Sequence, residues 1–96
     1  MSALYLIAEI YPRNEKVEQA RSEFDQLVAK TRAEEGCLLY DLVQEDGSNG
    51  WLMIEKWQSR AHWEDHIETD HVKHINSLDD LFERPTNLRF MTEVEV

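Results

Sequence analysis

Three stretches of this 96-residue chain read as strands that are apolar on both faces, and no other feature restricts the possible folds as strongly. Successive side chains of a strand point to opposite sides. In L-Y-L-I-A-E-I-Y, residues 4–11, Leu4, Leu6, Ala8 and Ile10 share one side, with Tyr5, Ile7 and Tyr11 on the other. In C-L-L-Y-D-L-V-Q-E, residues 37–45, Leu39 and Val43 oppose Leu38, Tyr40 and Leu42. In W-L-M-I-E-K-W, residues 51–57, Trp51, Met53 and Trp57 oppose Leu52 and Ile54. A sheet apolar on both sides needs cover on both. The helices available in a chain of this length suffice for one side. A bare second face would far exceed the few hundred Å² of contiguous apolar surface that soluble monomers tolerate. The economical cover is a second copy, so a homodimer is expected.

The connections fit that plan. Pro12 ends the first strand, and Asn14 is expected to cap a helix carrying Val17, Ala20, Phe24, Leu27, Val28 and Thr31 at spacings of three and four. This helix should run to about Glu35 and close at Gly36. The D-G-S-N-G turn joins the second and third strands as a hairpin. Ser59 should cap a short helix through Glu68. After Thr69 and Asp70, further helix is expected from His71 to Phe82, with Val72, Ile75, Leu78, Leu81 and Phe82 at helical spacing before Pro85. Asn87 to Val96 alternates as a last strand. The order βαββαβ is a ferredoxin-like α+β plan with an antiparallel four-stranded sheet. It is read as one domain, residues 1–96, expected to pair into a homodimer.

Charge and cysteine usage exclude several classes. Ten basic against 20 acidic residues give a net charge of −10, which repels phosphate backbones and argues against nucleic-acid binding. Cys37 is alone, so neither an internal disulfide nor a cysteine metal cluster can form. It reads as a small buried apolar residue. No basic leader with an apolar core and no bilayer-length apolar run is visible. No membrane association is expected, and a cytoplasmic location is.

All three tryptophans and all four histidines fall between Trp51 and His74. Imidazole moves protons near neutral pH, and indole offers a flat wall for an aromatic ligand. On a 100° wheel Trp63 and Ile67 mark the buried side of the helix after Ser59. His66 borders that side, while His62 lies toward solvent with Asp65. His66 is therefore the first candidate base. His71, at a helix start where the dipole disfavours the imidazolium, is a second; His74 reads as surface. His62 and His66 are spaced to chelate a metal, but no third ligand is placed, so no metal site is expected. Trp57, Met53 and Glu55 share one strand face. If it faces the helices, Trp57 and Trp63 wall an aromatic pocket and Glu55 can orient a histidine; if it faces a partner, all three strand residues are interface core. Tyr5 and Tyr40 are candidate hydrogen-bond donors to an oxygen of a bound ligand. Arg89 either steadies an anionic ligand or pairs with an acidic neighbour.

Certain motifs make the chain resemble the antibiotic biosynthesis monooxygenase family of small dimeric α+β barrels. They are L-I-A-E-I in the first strand, E-E-G-C-L-L-Y-D after the first helix, and M-I-E-K-W-Q-S-R-A-H-W-E-D-H-I-E-T-D-H around the third strand. The likeness extends over essentially the whole chain and is nearest to bacterial quinol monooxygenases, which share E-E-G-C, I-E-x-W and H-(x4)-H, here His66 and His71. The resemblance implies oxygenation of a quinol- or anthrone-like aromatic by O2 without metal, haem or flavin. His66 and His71 would be the proton-handling residues, and Trp57, Trp63, Met53, Tyr40 and Glu55 would meet the substrate. The haem-degrading branch relies on an asparagine, a tryptophan and a histidine where this chain has Ile10, His66 and Asn76, which argues against haem. The alternatives are an isomerase of a small dione using the same base, and a non-catalytic module whose Trp57 and Trp63 pack the cavity shut.

Overall fold

The computed structural model describes residues 2–96. Strands β1 (Leu4–Ile10), β2 (Cys37–Gln44), β3 (Trp51–Trp57) and β4 (Asn87–Thr92) form one antiparallel sheet in the order β2-β3-β1-β4. Helix α1 (Val17–Arg32) connects β1 to β2, and α2 (Arg60–Ile67) and α3 (Asp70–Asn76) lie between β3 and β4. This is the ferredoxin-like α+β arrangement.

The strand register settles which face meets the helices. Leu4, Leu6, Ala8 and Ile10 of β1 stand opposite Trp57, Glu55, Met53 and Trp51 of β3, and Tyr40 of β2 stands opposite Glu55. All of these are buried, together with Ala20, Phe24, Leu27 and Thr31 of α1. The four α1 residues recur at the three-to-four spacing that makes one helix face. The other side of the sheet carries Tyr5, Ile7, Leu52, Ile54 and Met91, each half-buried, and Leu39 and Val43, which are 37% and 39% exposed. The molecule is only 19 Å thick. That accommodates one sheet and one helical layer at the usual spacing of about 10 Å per layer, with no third layer over the second face.

Several boundaries differ from expectation. Asn14 does not cap α1: residues Asn14–Lys16 form a 3-10 turn with no side-chain cap, and the helix starts at Val17. α1 stops at Arg32, and Gly36, at φ +85°, turns the chain into β2. A bulge at Leu38 adds one residue between Cys37 and Leu39, which leaves Leu38 55% exposed rather than stacked in line with Tyr40. Ser59 caps α2 and Thr69 caps α3, each accepting a backbone N–H. The helix expected through Phe82 ends at Asn76 and resumes only as a 3-10 turn, Asp79–Leu81. β4 ends at Thr92, which pairs with Leu4, the first residue of β1. Among the described residues no helix is long and apolar enough to cross a membrane.

Candidate functional site

The site is assembled where the turn after α1 meets the junction of α2 and α3. Gly36 allows that turn to pass close beneath α2: a Cβ there would lie 2.3 Å from Cγ and Cδ2 of His62. His62 itself is tied down, its Nδ1 2.7 Å from Oγ of the capping Ser59. The tight turn places Glu34 under the two helices. Its Oε2 lies 2.8 Å from Nδ1 of His66 and 2.7 Å from Nε2 of His71. His66 is 4% exposed, and Glu34 and His71 are 15% and 16%. One carboxylate oxygen thus binds two ring nitrogens contributed by separate helices.

This arrangement fixes the chemistry of His66. With Nδ1–H donating to Glu34, the ring nitrogen left without a partner among the described residues is Nε2. Burial holds the His66 pKa below its ordinary value, partly offset by the Glu34 hydrogen bond and charge, with His71 adding to the lowering. The imidazole is therefore neutral at pH 7, with a lone pair to accept a proton. Glu34 sets the tautomer, as an acidic partner does for many catalytic histidines.

Beside His66 lies a cavity of about 640 Å³, lined by Phe24, Tyr40, Met53, Glu55, Trp63 and His66 among others. That volume is in the range of small-molecule sites. Four of the expected substrate contacts, Tyr40, Met53, Glu55 and Trp63, are therefore brought together with His66. Trp63 is braced edge-on against Phe90, ring centroids 4.9 Å apart. Trp57 is not on the cavity wall. Fully buried, it lies behind His66, with ring centroids 4.6 Å apart, and its indole N–H donates to Oε1 of Glu55 at 2.9 Å. Glu55 is thereby bonded to a tryptophan, where sequence suggested a histidine. Burial raises its pKa to about 7, opposed by the Trp57 hydrogen bond and reinforced by Glu34. Tyr40, its ring 5.5 Å from His66, has its phenol pushed well above the ordinary value by burial and then by Glu55, so it serves as a donor and not as a base.

The other candidates lie elsewhere. His71 does not line the large cavity; it shares Oε2 of Glu34 with His66, the two ring centroids 6.1 Å apart. His74 is exposed and pairs with Glu23 at 2.7 Å. Tyr5 and Arg89 belong to the opposite sheet face, where Tyr5 donates to Glu93 at 3.1 Å. Burial raises the Cys37 thiol, followed by the charges of Glu34 and Glu55, which keeps it a poor nucleophile.

Sequence reasoning missed Glu34 as a site residue, although it stands in the E-E-G-C motif. Glu34, His66 and His71 also place three donor atoms within 4.8 Å of one another, the only such trio among the described residues. A tetrahedral metal at about 2.1 Å would spread neighbouring donors to about 3.4 Å. The observed 2.7 and 2.8 Å are hydrogen-bond lengths.

Comparison with known proteins bears on this site. Residues 3–77 match the antibiotic biosynthesis monooxygenase family. YcnE of Bacillus subtilis, provisionally named a monooxygenase, is 42% identical over 71 residues, covering 73% of this chain and 75% of that protein. Rv0793 of Mycobacterium tuberculosis, named in the same way, is 25% identical over 95 residues, covering 98% and 94%. Its solved structure superposes with a TM-score of 0.92 over 99% of this chain and 98% of that one. PA3566 from Pseudomonas aeruginosa gives a TM-score of 0.89 at 30% identity over 99% and 97%.

Proposed function

Because this chain belongs to the antibiotic biosynthesis monooxygenase family, we propose that it is a cofactor-independent monooxygenase of a quinol- or anthrone-like aromatic, with His66 as base. The observation that carries this reading is a neutral histidine, oriented by Glu34 at 2.8 Å, on the wall of a 640 Å³ cavity. Nε2 of His66 takes a proton from the substrate's phenol, or from the CH2 of an anthrone. The resulting anion passes one electron to O2, a transfer the protonated ring makes far less readily. The ring radical and superoxide join at carbon, and the peroxide loses water. For an anthrone the sum is CH2 plus O2 giving C=O plus H2O.

Trp63 and Met53 supply the apolar wall for the ring, and Tyr40 a hydrogen-bond donor. His71 acts on Glu34 and not on substrate. O2 is the co-substrate, and no metal, haem or flavin takes part. The active form is a homodimer joined through the sheet face bearing Ile7 and Ile54. A non-catalytic module would have filled the cavity with Trp57 and Trp63; the open volume favours an enzyme.

The test is oxygen uptake by the purified protein with reduced naphthoquinones and anthrones. Uptake above the non-enzymatic rate is expected, with loss of turnover in His66→Ala and no change in oligomeric state. No uptake across such a panel would overturn the proposal.

A further inference from the structure

The mechanism above leaves one buried acid without a task. Glu55 is 4% exposed and lines the cavity. Its Oε1 accepts the Trp57 indole N–H at 2.9 Å, and its second oxygen has no partner among the described residues. A sealed, unpartnered oxygen would be a buried orphan, yet the only such side-chain atom among the described residues is Oγ1 of Thr31. The second oxygen of Glu55 therefore opens onto the cavity. Trp57 links it to the base, since the indole that holds Glu55 also packs 4.6 Å from the His66 ring. Tyr40 stands directly across from Glu55 in the β2–β3 register.

We propose that Glu55 is a second catalytic residue, whose carboxylic acid O–H donates to a carbonyl or enolate oxygen of the ligand while His66 removes the ligand's proton. This rests on the function proposed above and narrows its substrate class. The favoured ligand is an aromatic with two conjugated oxygen functions, one ionisable or enolisable and one carbonyl, such as an anthrone or a hydroxynaphthoquinone. A simple phenol would engage His66 and leave the Glu55 O–H facing an apolar ring, a wasted buried donor. The two oxygens of Glu55 divide the work: one is fixed by Trp57, and the other carries the proton.

The electrostatics agree with that division. Burial keeps much of Glu55 protonated at neutral pH. A neutral O–H stabilises a developing oxyanion in a water-poor site, whereas a carboxylate would repel it. The groups that bear on Glu55 are the Trp57 N–H on its own strand, Tyr40 from β2, Cys37 at its start and Glu34 from the turn after α1; His66 from α2 shares the cavity wall, and β1 opposes it with the apolar Leu6. The remaining charged groups on the cavity wall are Arg13, Asp79, Glu83 and Arg84.

The probe is 2-hydroxy-1,4-naphthoquinone, whose visible absorption reports both binding and ionisation. Being already oxidised, it reports binding without turnover. Wild-type protein should bind its anion at pH 6 and lose affinity about tenfold for each pH unit above 7, as Glu55 gives up its proton. Glu55→Gln keeps a carbonyl for Trp57 and turns an N–H into the cavity. It should bind within about threefold of wild type at pH 6 and show no loss above pH 7. Glu55→Ala should bind about tenfold more weakly at pH 6. 2-Naphthol, which lacks the carbonyl, should bind Glu55→Ala at least as tightly as wild type, because the variant has no donor to strand. Parallel pH curves for wild type and Glu55→Gln would overturn the proposal, as would failure of the wild type to bind the probe at millimolar concentration. Normal binding without oxygen uptake from any quinol would count against the monooxygenase reading alone.

Discussion

The indole N–H of Trp57 donates to Oε1 of Glu55 at 2.9 Å, so a fully buried tryptophan holds the one acid of the sheet's helix-facing side. The two residues share a face because they are two positions apart on β3. The bond orients the carboxyl without ionising it, since burial outweighs the hydrogen bond and sets the pKa near 7 against an ordinary 4.5. The sign of the stability effect follows. Below pH 4.5 folded and unfolded chains both hold the proton, and there is no penalty. Between 4.5 and 7 the unfolded chain releases it while the folded chain keeps it, so stability falls as pH rises. Wild type should therefore lose about 1–3 kcal/mol relative to Glu55→Gln between pH 5 and pH 8. Urea denaturation at both pH values measures this, and a constant difference would refute it.

Glu34 should matter through His66 rather than through substrate. Glu34→Ala removes the partner that fixes the Nδ1–H tautomer, and turnover should fall by about 10- to 1000-fold. His66→Ala should cost about 100- to 10,000-fold, and the double variant little more than His66→Ala alone. The pH profile separates orientation from general damage. Activity needs unprotonated His66, so it declines as pH falls through the His66 pKa. Glu34 raises that pKa against the larger desolvation effect, so its removal should move the acid limb of kcat to lower pH. An unmoved limb would mean that Glu34 only packs.

Much of this was legible in the sequence because it follows from local periodicity. The alternation in β1 and β3 gave both strands and their two apolar faces, whereas the helical wheel puts Trp63 and Ile67 innermost with His66 at the border, and in α2 it is His66 that is buried while Trp63 and Ile67 are half-buried. Which sheet face meets the helices was not legible, since both faces are apolar and only the β1–β3 register with the packing of α1 distinguishes them. Glu34 was missed for a different reason. It lies 32 residues from His66, in a turn with no periodicity of its own, and only the three-dimensional approach of that turn to α2 gives it a role. Trp57 and Glu55 were correctly grouped on one face. Their bond follows from side-chain length and burial, which alternation does not report.

Gly36 should resist even the smallest side chain. Its φ of +85° disfavours any L-residue, and the added Cβ would sit 2.3 Å from the His62 ring, which Ser59 holds in place. The turn cannot relax freely, because the Gly36 carbonyl accepts the Gln58 N–H at 2.8 Å. Gly36→Ala should therefore cost about 2–4 kcal/mol, the strain of the left-handed backbone plus the clash. It should also weaken turnover by displacing Glu34. Chemical denaturation gives the first value, and a loss below 1 kcal/mol would show that the turn yields.

The uncovered sheet face makes the last prediction. At its centre Ile54 of β3 stands opposite Ile7 of β1, with Asp41 beyond one and Arg89 beyond the other. An apolar middle flanked by charge is the usual anatomy of an interface. Leu52, Val43, Leu39 and Met91 widen the patch. A lysine at Ile54 adds nothing unfavourable to a lone protomer, where its ammonium reaches water, but in a face-to-face pair it is buried without a partner. Ile54→Lys should therefore leave the helical CD spectrum intact and weaken self-association by about 100-fold, equivalent to about 3 kcal/mol. Ile7→Lys should do the same, while Glu64→Lys, on the exposed side of α2, should not. Sedimentation velocity over a concentration series reads all three, and a wild-type protein that sediments as a single protomer would sink the proposed pairing.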